Sequence, residues 1–243
     1  KDNNTLVVLP TGIGKTLIAL MLSVERIQKF PGKKVLILAP TRPLVEQHLE
    51  SFKKNLPELF AGIDIFTGTV NSKKRMNIWK SAEIIFSTPQ CIANDVKKGL
   101  YNLEDVSLLV IDEAHRCLKN YDYTYVANAY KSQAINQRIL GLTASPGSEK
   151  DRVTQICKNL GIEKLELRTR DSEDVKPYLQ QLEIKKHKVQ FPQDFIELRV
   201  LLKRIYDSKV EQLKNRNLLF EPANKITLLK LQNRLASQVN PGN

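Results

Sequence analysis

Leu6-Val7-Val8-Leu9-Pro10-Thr11-Gly12-Ile13-Gly14-Lys15-Thr16-Leu17-Ile18-Ala19-Leu20-Met21-Leu22 decides how the rest of the chain is read. An apolar run, a turn rich in Gly and Pro, and a second apolar run predict strand, loop, helix. In such a loop, backbone N–H groups point into a concave site and the helix N-terminus adds positive partial charge. Thr11, Gly12, Ile13 and Gly14 supply the cradle. Lys15 brings a formal charge to the outer phosphates of a nucleotide, and the Thr16 hydroxyl offers a ligand to Mg²⁺. The strict spacing G-x-x-x-x-G-K-[ST] is not met, because Leu9 stands where the first Gly belongs and Gly12 sits inside the loop instead.

The chain has 243 residues, of which 42% are hydrophobic, and a formal net charge of +12. That length suits one to two domains. A chain so basic points to a polyanion, and an extended nucleic acid is the first candidate. Cys91, Cys117 and Cys157 are far apart, without C-x-x-C spacing. They predict neither a disulfide framework nor a structural metal, and read as intracellular usage. No apolar run reaches the ~18 residues of a membrane span and no signal peptide opens the chain, so no membrane partner is expected. Both ends read as cut from something longer.

Short β-like runs alternate with helical ones over the first two thirds. Strands are predicted at Thr5–Leu9, Lys34–Ala39, Ile63–Phe66, Glu83–Ser87, Ser107–Ile111, Arg138–Leu142 and Lys164–Leu167. Helices are predicted near Lys15–Phe30, Pro43–Asn55, Asn71–Lys80, Pro89–Lys98, Tyr121–Ala134 and Glu149–Leu160. Such alternation predicts an α/β fold, a mostly parallel sheet with helices on both faces. Ligands of these sheets bind at the carboxyl ends of the strands. Each strand there runs into a cluster of small or polar residues. From about Leu182 the pattern changes to a basic extended run through Phe191, then a helical hairpin over Phe195–Phe220 and Ile226–Val239, broken at Glu221-Pro222. Residues 180–243 hold twelve Lys or Arg against six Asp or Glu.

The clusters carry chemistry. Leu108-Leu109-Val110-Ile111-Asp112-Glu113 is an apolar strand ending in two carboxylates. Asp112, opposite Thr16, suits Mg²⁺ through a water, and Glu113 suits polarising the water that attacks a γ-phosphate. Lys15, Asp112 and Glu113 are therefore the candidate catalytic residues. His115 suits a coupling role toward Thr143 and Ser145, whose hydroxyls lie after the sixth strand. Pro40, Thr41 and Arg42, with the turns Thr67-Gly68 and Thr88-Pro89, suit phosphates along a nucleic-acid strand, which position without reading sequence.

These motifs stand in the order and spacing of the first RecA-like lobe of superfamily 2 helicases, which residues 1–165 resemble. Asn94-Asp95, Leu103–Ser107, Arg116, Leu142–Gly147 and Asp174–Tyr178 resemble the archaeal Hef and Fanconi-anaemia group M branch. The resemblance implies a RecA-like, P-loop ATP-binding lobe over 1–180 and a linker with the start of a helical insertion over 181–243. It implies ATP and Mg²⁺ as cofactors, forked or branched DNA as partner, and a second RecA lobe beyond Asn243 bearing arginine fingers. An adenine-recognising glutamine motif is implied upstream of Lys1. The location implied is cytoplasmic in an archaeon and nuclear in a eukaryote. Two rival readings stand beside it, a motor on double-stranded RNA of the RIG-I or Dicer type and a non-catalytic DNA-binding module.

Overall fold

In a computed structural model the alternating runs form, among the described residues, seven strands and eight α-helices. It describes residues 3–57, 60–68, 70–118, 122–145, 150–178 and 186–239. The strands are β1 (Thr5–Val8), β2 (Lys34–Leu38), β3 (Ile63–Phe66), β4 (Ile84–Ser87), β5 (Val106–Asp112), β6 (Ile139–Thr143) and β7 (Lys164–Leu167). The helices are α1 (Lys15–Lys29), α2 (Arg42–Asn55), α3 (Ser72–Ser81), α4 (Pro89–Lys97), α5 (Asp122–Gln133), α6 (Lys150–Leu160), α7 (Gln193–Asn215) and α8 (Lys225–Val239). The chain divides into two compact units, Lys1–Gln181 and Leu182–Asn243.

In the first unit all seven strands pair in parallel, in the order β3-β4-β2-β5-β6-β1-β7. The register sets Phe66 beside Ser87, Ser87 beside Leu38, Leu38 beside Ile111, and Val8 beside Thr143. Every strand therefore ends on one edge of the sheet. Successive side chains of a strand point to opposite faces, and both faces of the central strands are covered. That is why β2, β4 and β5 are rich in Val, Ile and Leu, while the edge strands β3 and β7 carry Asp64 and Glu166. Val7, Val35, Ile37, Phe86, Leu108 and Val110 pack against Ala19, Leu20 and Ile27 of α1 and Val45 and Phe52 of α2. Leu6, Leu36, Ile85, Leu109 and Ile111 pack on the other face against Ile92 of α4, Val126 and Tyr130 of α5 and Ile156 of α6.

Observed limits differ from the predicted ones by one or two residues, with two consequences. β5 runs on to include Asp112 and β6 to include Thr143, so both are held by the ladder. Between Asp112 and α5 lies an unpredicted 3₁₀ turn, Ala114–Arg116. Among the described residues no helix is long and apolar enough to cross a membrane.

The second unit departs further from expectation. α7 ends at Asn215, not near Phe220. Asn217 takes a left-handed conformation (φ 53°), and Leu218 N–H bonds back to Leu213 O at 3.0 Å while Asn217 N–H bonds to Lys214 O at 2.9 Å. That pattern is a Schellman stop, with Asn in place of the usual Gly. Among the described residues, α7 and α8 do not pack along their lengths as a hairpin core would. Leu198, Leu201, Leu202 and Ile205 of α7 are each more than half exposed, and Leu219 and Leu231 are the buried apolar residues described in this unit.

Candidate functional site

The parallel register brings the clusters to one edge, and the strand order sorts them along it. The turns after β5, β6 and β1 lie on one side and those after β3, β4 and β2 on the other.

On the first side, the loop Pro10–Gly14 leaves β1 and enters α1. Leu9 N–H bonds to Thr143 O at 3.0 Å, which fixes the loop's root against β6. Gly12 (φ 85°) and Gly14 (φ 90°) both use left-handed backbone that other residues adopt at a cost. A Cβ at Gly12 would meet nothing within 4 Å, so the hollow over the loop is open. Leu17 and Ile18 N–H groups bond to Gly14 O, whereas the N–H groups of Lys15 and Thr16 precede any helical acceptor and face the hollow's end of α1. Lys15 Nζ folds back onto Leu9 O (3.1 Å) and Pro10 O (3.3 Å), neutral acceptors that an anion can replace. Its pKa is lowered, chiefly by burial, against the opposing pull of Asp112 and Glu113.

Asp112 is buried at the end of β5, and its carbonyl accepts a bond of 3.0 Å from the buried Tyr123 hydroxyl. Its Oδ2 lies 2.9 Å from His48 Nε2, and His48 Nδ1 lies 3.3 Å from Thr16 Oγ1. Thr16 and Asp112 therefore converge on one imidazole, a hydroxyl and a carboxylate that are both hard oxygen donors. That donor set fits a magnesium ion that keeps most of its waters. Glu113 follows with a left-handed backbone (φ 52°, ψ 47°). For a residue with a side chain this is sparsely populated and costs on the order of 1 kcal/mol, and such strain gathers at functional sites. The turn that demands it aims Glu113 Oε2 at His115 Nδ1, 3.2 Å away.

The same ring nitrogen lies 3.1 Å from Thr143 Oγ1. Ser145 enters differently from expectation. Its backbone N–H donates to Thr143 Oγ1 at 3.3 Å, and among the described residues its hydroxyl makes no bond to His115.

On the other side, Thr41 and Thr88 cap α2 and α4 from extended backbone, and neither hydroxyl is spent on its helix. Arg42 is exposed and its Nε donates to Glu46 Oε1 at 2.7 Å. Pro40 is half-buried and Gly68 exposed. Thr67 and Pro89 are buried, so their side chains hold the turns and do not offer a contact surface. Ser87 Oγ donates to Phe66 O at 3.2 Å and ties the turns after β3 and β4 together. Thr69, Pro146, Gly147 and Lys185 lie outside the described residues.

Two residues of the site escape a motif-based reading, His48 and Tyr123. Each sits on the apolar stripe of a helix, His48 with Val45, Leu49 and Phe52, and Tyr123 with Val126, Ala127 and Tyr130. A hydrogen-bonding side chain on a core-facing stripe is the signal that marks both.

A family model described as DEAD/DEAH box helicase matches residues 1–153. A Methanocaldococcus jannaschii protein provisionally named an ATP-dependent RNA helicase is 41% identical over 235 residues, 96% of this chain and 30% of that protein. The Drosophila melanogaster DEAD-box ATP-dependent DNA helicase Fancm is 35% identical over 214 residues, 86% of this chain and 14% of that protein. The crystal structure of the Pyrococcus furiosus Hef helicase domain matches with a TM-score of 0.70 at 42% identity, covering 100% of this chain and 51% of that one.

Proposed function

Because the chain belongs to the DEAD/DEAH box helicases, we propose that residues 1–181 are the ATP-binding lobe of a motor that acts on forked or branched DNA. The observation that carries this reading is the convergence, on one edge, of the glycine loop with Lys15 and Thr16, the Asp112-Glu113 strand end, and the His115–Thr143 contact. In this reading the backbone of Thr11–Gly14 and the start of α1 hold the phosphates. Lys15 leaves the Leu9 and Pro10 carbonyls for the outer phosphates. Thr16 and Asp112 hold Mg²⁺, which when bound neutralises the developing phosphate charge. Glu113 orients the attacking water and draws its proton. Thr41, Arg42 and Thr88 meet the nucleic-acid backbone at the N-termini of α2 and α4, where partial positive charge favours phosphate, and Gly68 meets it in the turn after β3.

The opposite wall of the cleft belongs to a second lobe, in keeping with a chain that spans 51% of the Hef helicase domain. Residues 182–243 are then the start of a helical insertion between the lobes. Residues 1–243 alone should bind ATP weakly and turn it over slowly, because an arginine finger is worth about 10³–10⁵ in rate.

A motor on double-stranded RNA is the second reading, favoured by the name of the M. jannaschii relative. ATP turnover by the whole protein with forked DNA, duplex DNA and duplex RNA separates the two. Forked DNA should stimulate most, Lys15→Ala should abolish nucleotide binding, and Glu113→Gln should keep binding while lowering turnover at least ~100-fold. Full turnover in Glu113→Gln, or stimulation by duplex RNA alone, overturns the reading.

A further inference from the structure

We propose that His48 is a positioning residue of the nucleotide site, one that presets the lone pairs of Thr16 and Asp112 toward the metal. The proposal rests on the reading of those two residues as the Mg²⁺ ligands.

A hydroxyl ligates a cation only through a lone pair, so its proton must point elsewhere. His48 Nδ1, 3.3 Å from Thr16 Oγ1, accepts that proton. His48 Nε2 then carries the ring's own proton and donates it to Asp112 Oδ2 at 2.9 Å. A neutral imidazole has one donor and one acceptor nitrogen, and only this tautomer serves both partners so. Thr16 is left with its oxygen free toward the metal, and Asp112 with Oδ1 free toward a metal-bound water. Without the ring, Thr16 would rotate among staggered positions and Asp112 would swing about its own terminal torsion.

The ring is held by packing as well as by its bonds. The His48 side chain is 12% exposed and that of Asp112 is 9% exposed. His48 lies on the inward stripe of α2, between Val45 and Phe52, which pack against the sheet in the same core layer as Val35, Ile37 and Phe86. The rigid element that places the ring is thus separate from the loop and the strand whose oxygens it orients. Outer partners of metal ligands of this kind typically contribute 10–100-fold to metal affinity.

The test is binding of a fluorescent ADP to the whole protein, titrated with Mg²⁺ and repeated in EDTA. His48→Leu keeps the bulk and neither bond. His48→Gln keeps one donor and one acceptor on a side chain of similar reach. His48→Leu should raise the half-saturating Mg²⁺ concentration at least ~10-fold while metal-free ADP binding stays at the wild-type level, and His48→Gln should recover most of the loss. If His48→Leu does not fold by thermal melting, His48→Asn, too short to span both partners, takes its place with the same expectation. Wild-type Mg²⁺ dependence in the Leu or Asn variant, or equal shifts in it and in His48→Gln, overturns the positioning role. An equal weakening with and without metal also overturns it, since that is the mark of a purely structural residue. Failure of the wild-type protein to bind ADP in a Mg²⁺-dependent way instead removes the nucleotide-site reading, and the role of His48 falls with it.

Discussion

His115 Nδ1 and Thr143 Oγ1 stand 3.1 Å apart, and Glu113 Oε2 stands 3.2 Å from the same nitrogen. One ring nitrogen has one hydrogen-bonding site in its plane, so the hydroxyl and the carboxylate compete for it. A shift of Glu113 toward a bound nucleotide therefore frees His115 for Thr143, and the reverse. In the whole protein, His115→Ala and Thr143→Val should each cut the nucleic-acid stimulation of ATP turnover about 5–10-fold, a loss of about 1 kcal/mol. Nucleotide affinity should stay unchanged. The double variant should be no worse than either single one, the mark of two residues acting as a unit. Additive losses would show that the contact does not carry the coupling.

Gly141 is needed for space, not for backbone freedom. A Cβ there would lie 2.9 Å from Leu6 Cδ1 and 3.3 Å from Ala114 Cβ, both in fully buried residues. Ala114 stands between Glu113 and His115, so the close approach of β6 sets the height of the turn that carries them. Gly141→Ala should destabilise by about 1–3 kcal/mol through overpacking, a fall in Tm of roughly 5 °C. Turnover measured well below the new Tm should fall too, because the added methyl presses on the 3₁₀ turn. Unchanged stability would mean that Leu6 and Ala114 shift freely.

The central strands β1, β2, β4, β5 and β6 were legible because they are buried on both faces, so runs rich in Val, Ile and Leu mark them without knowledge of their neighbours, whereas the edge strands β3 and β7 alternate with charged residues. The site residues that follow them were legible for the same reason, since a parallel sheet sends every strand end to one edge. His48 was not, because its bonds span 32 and 64 residues and a local pattern shows only a helix. The left-handed turn at Glu113 was also hidden, as nothing about Glu invites it. In α7 the spacing of Leu198, Leu201, Leu202 and Ile205 announced a helical face correctly. Periodicity does not say what covers a face, and here these side chains are exposed.

The alkaline limit of stability should depend on Cys117. Its thiol is fully buried, and burial pushes its pKa from the ordinary 9.0 up to about 12. Between those values the unfolded chain has released a proton that the folded chain keeps. The contribution is therefore whole below pH 9 and is lost as pH rises toward 12. From pH 8 to pH 10, wild type should lose about 1 kcal/mol more than Cys117→Ala, read from urea unfolding at each pH. Groups common to both proteins cancel in that difference. Parallel losses would place the folded thiol near its ordinary pKa.

A buried ion pair braces the turn after β3. Arg75 of α3 grips Asp95 of α4 through Nε (2.6 Å) and a second bond, and its other guanidinium nitrogen reaches Val70 O, two residues after Gly68. The Arg75 side chain is 10% exposed and that of Asp95 is 1% exposed. Tyr101 adds a bond of 3.0 Å to Asp95 and stacks on Trp79 with ring centroids 4.0 Å apart. Removing one partner leaves a buried charge uncompensated, which costs about 3–5 kcal/mol, whereas replacing both with apolar residues costs far less. Arg75→Met should therefore lower Tm by about 10 °C, and Arg75→Met with Asp95→Leu should recover most of that. The two variants should still share one defect. Both lose the bond to Val70 O, so both should bind DNA more weakly than wild type, uniformly across sequences, as expected of contacts made to phosphate. Wild-type DNA affinity in the stable double variant would show that the turn at Gly68 holds its shape without Arg75, or makes no contact with the nucleic acid.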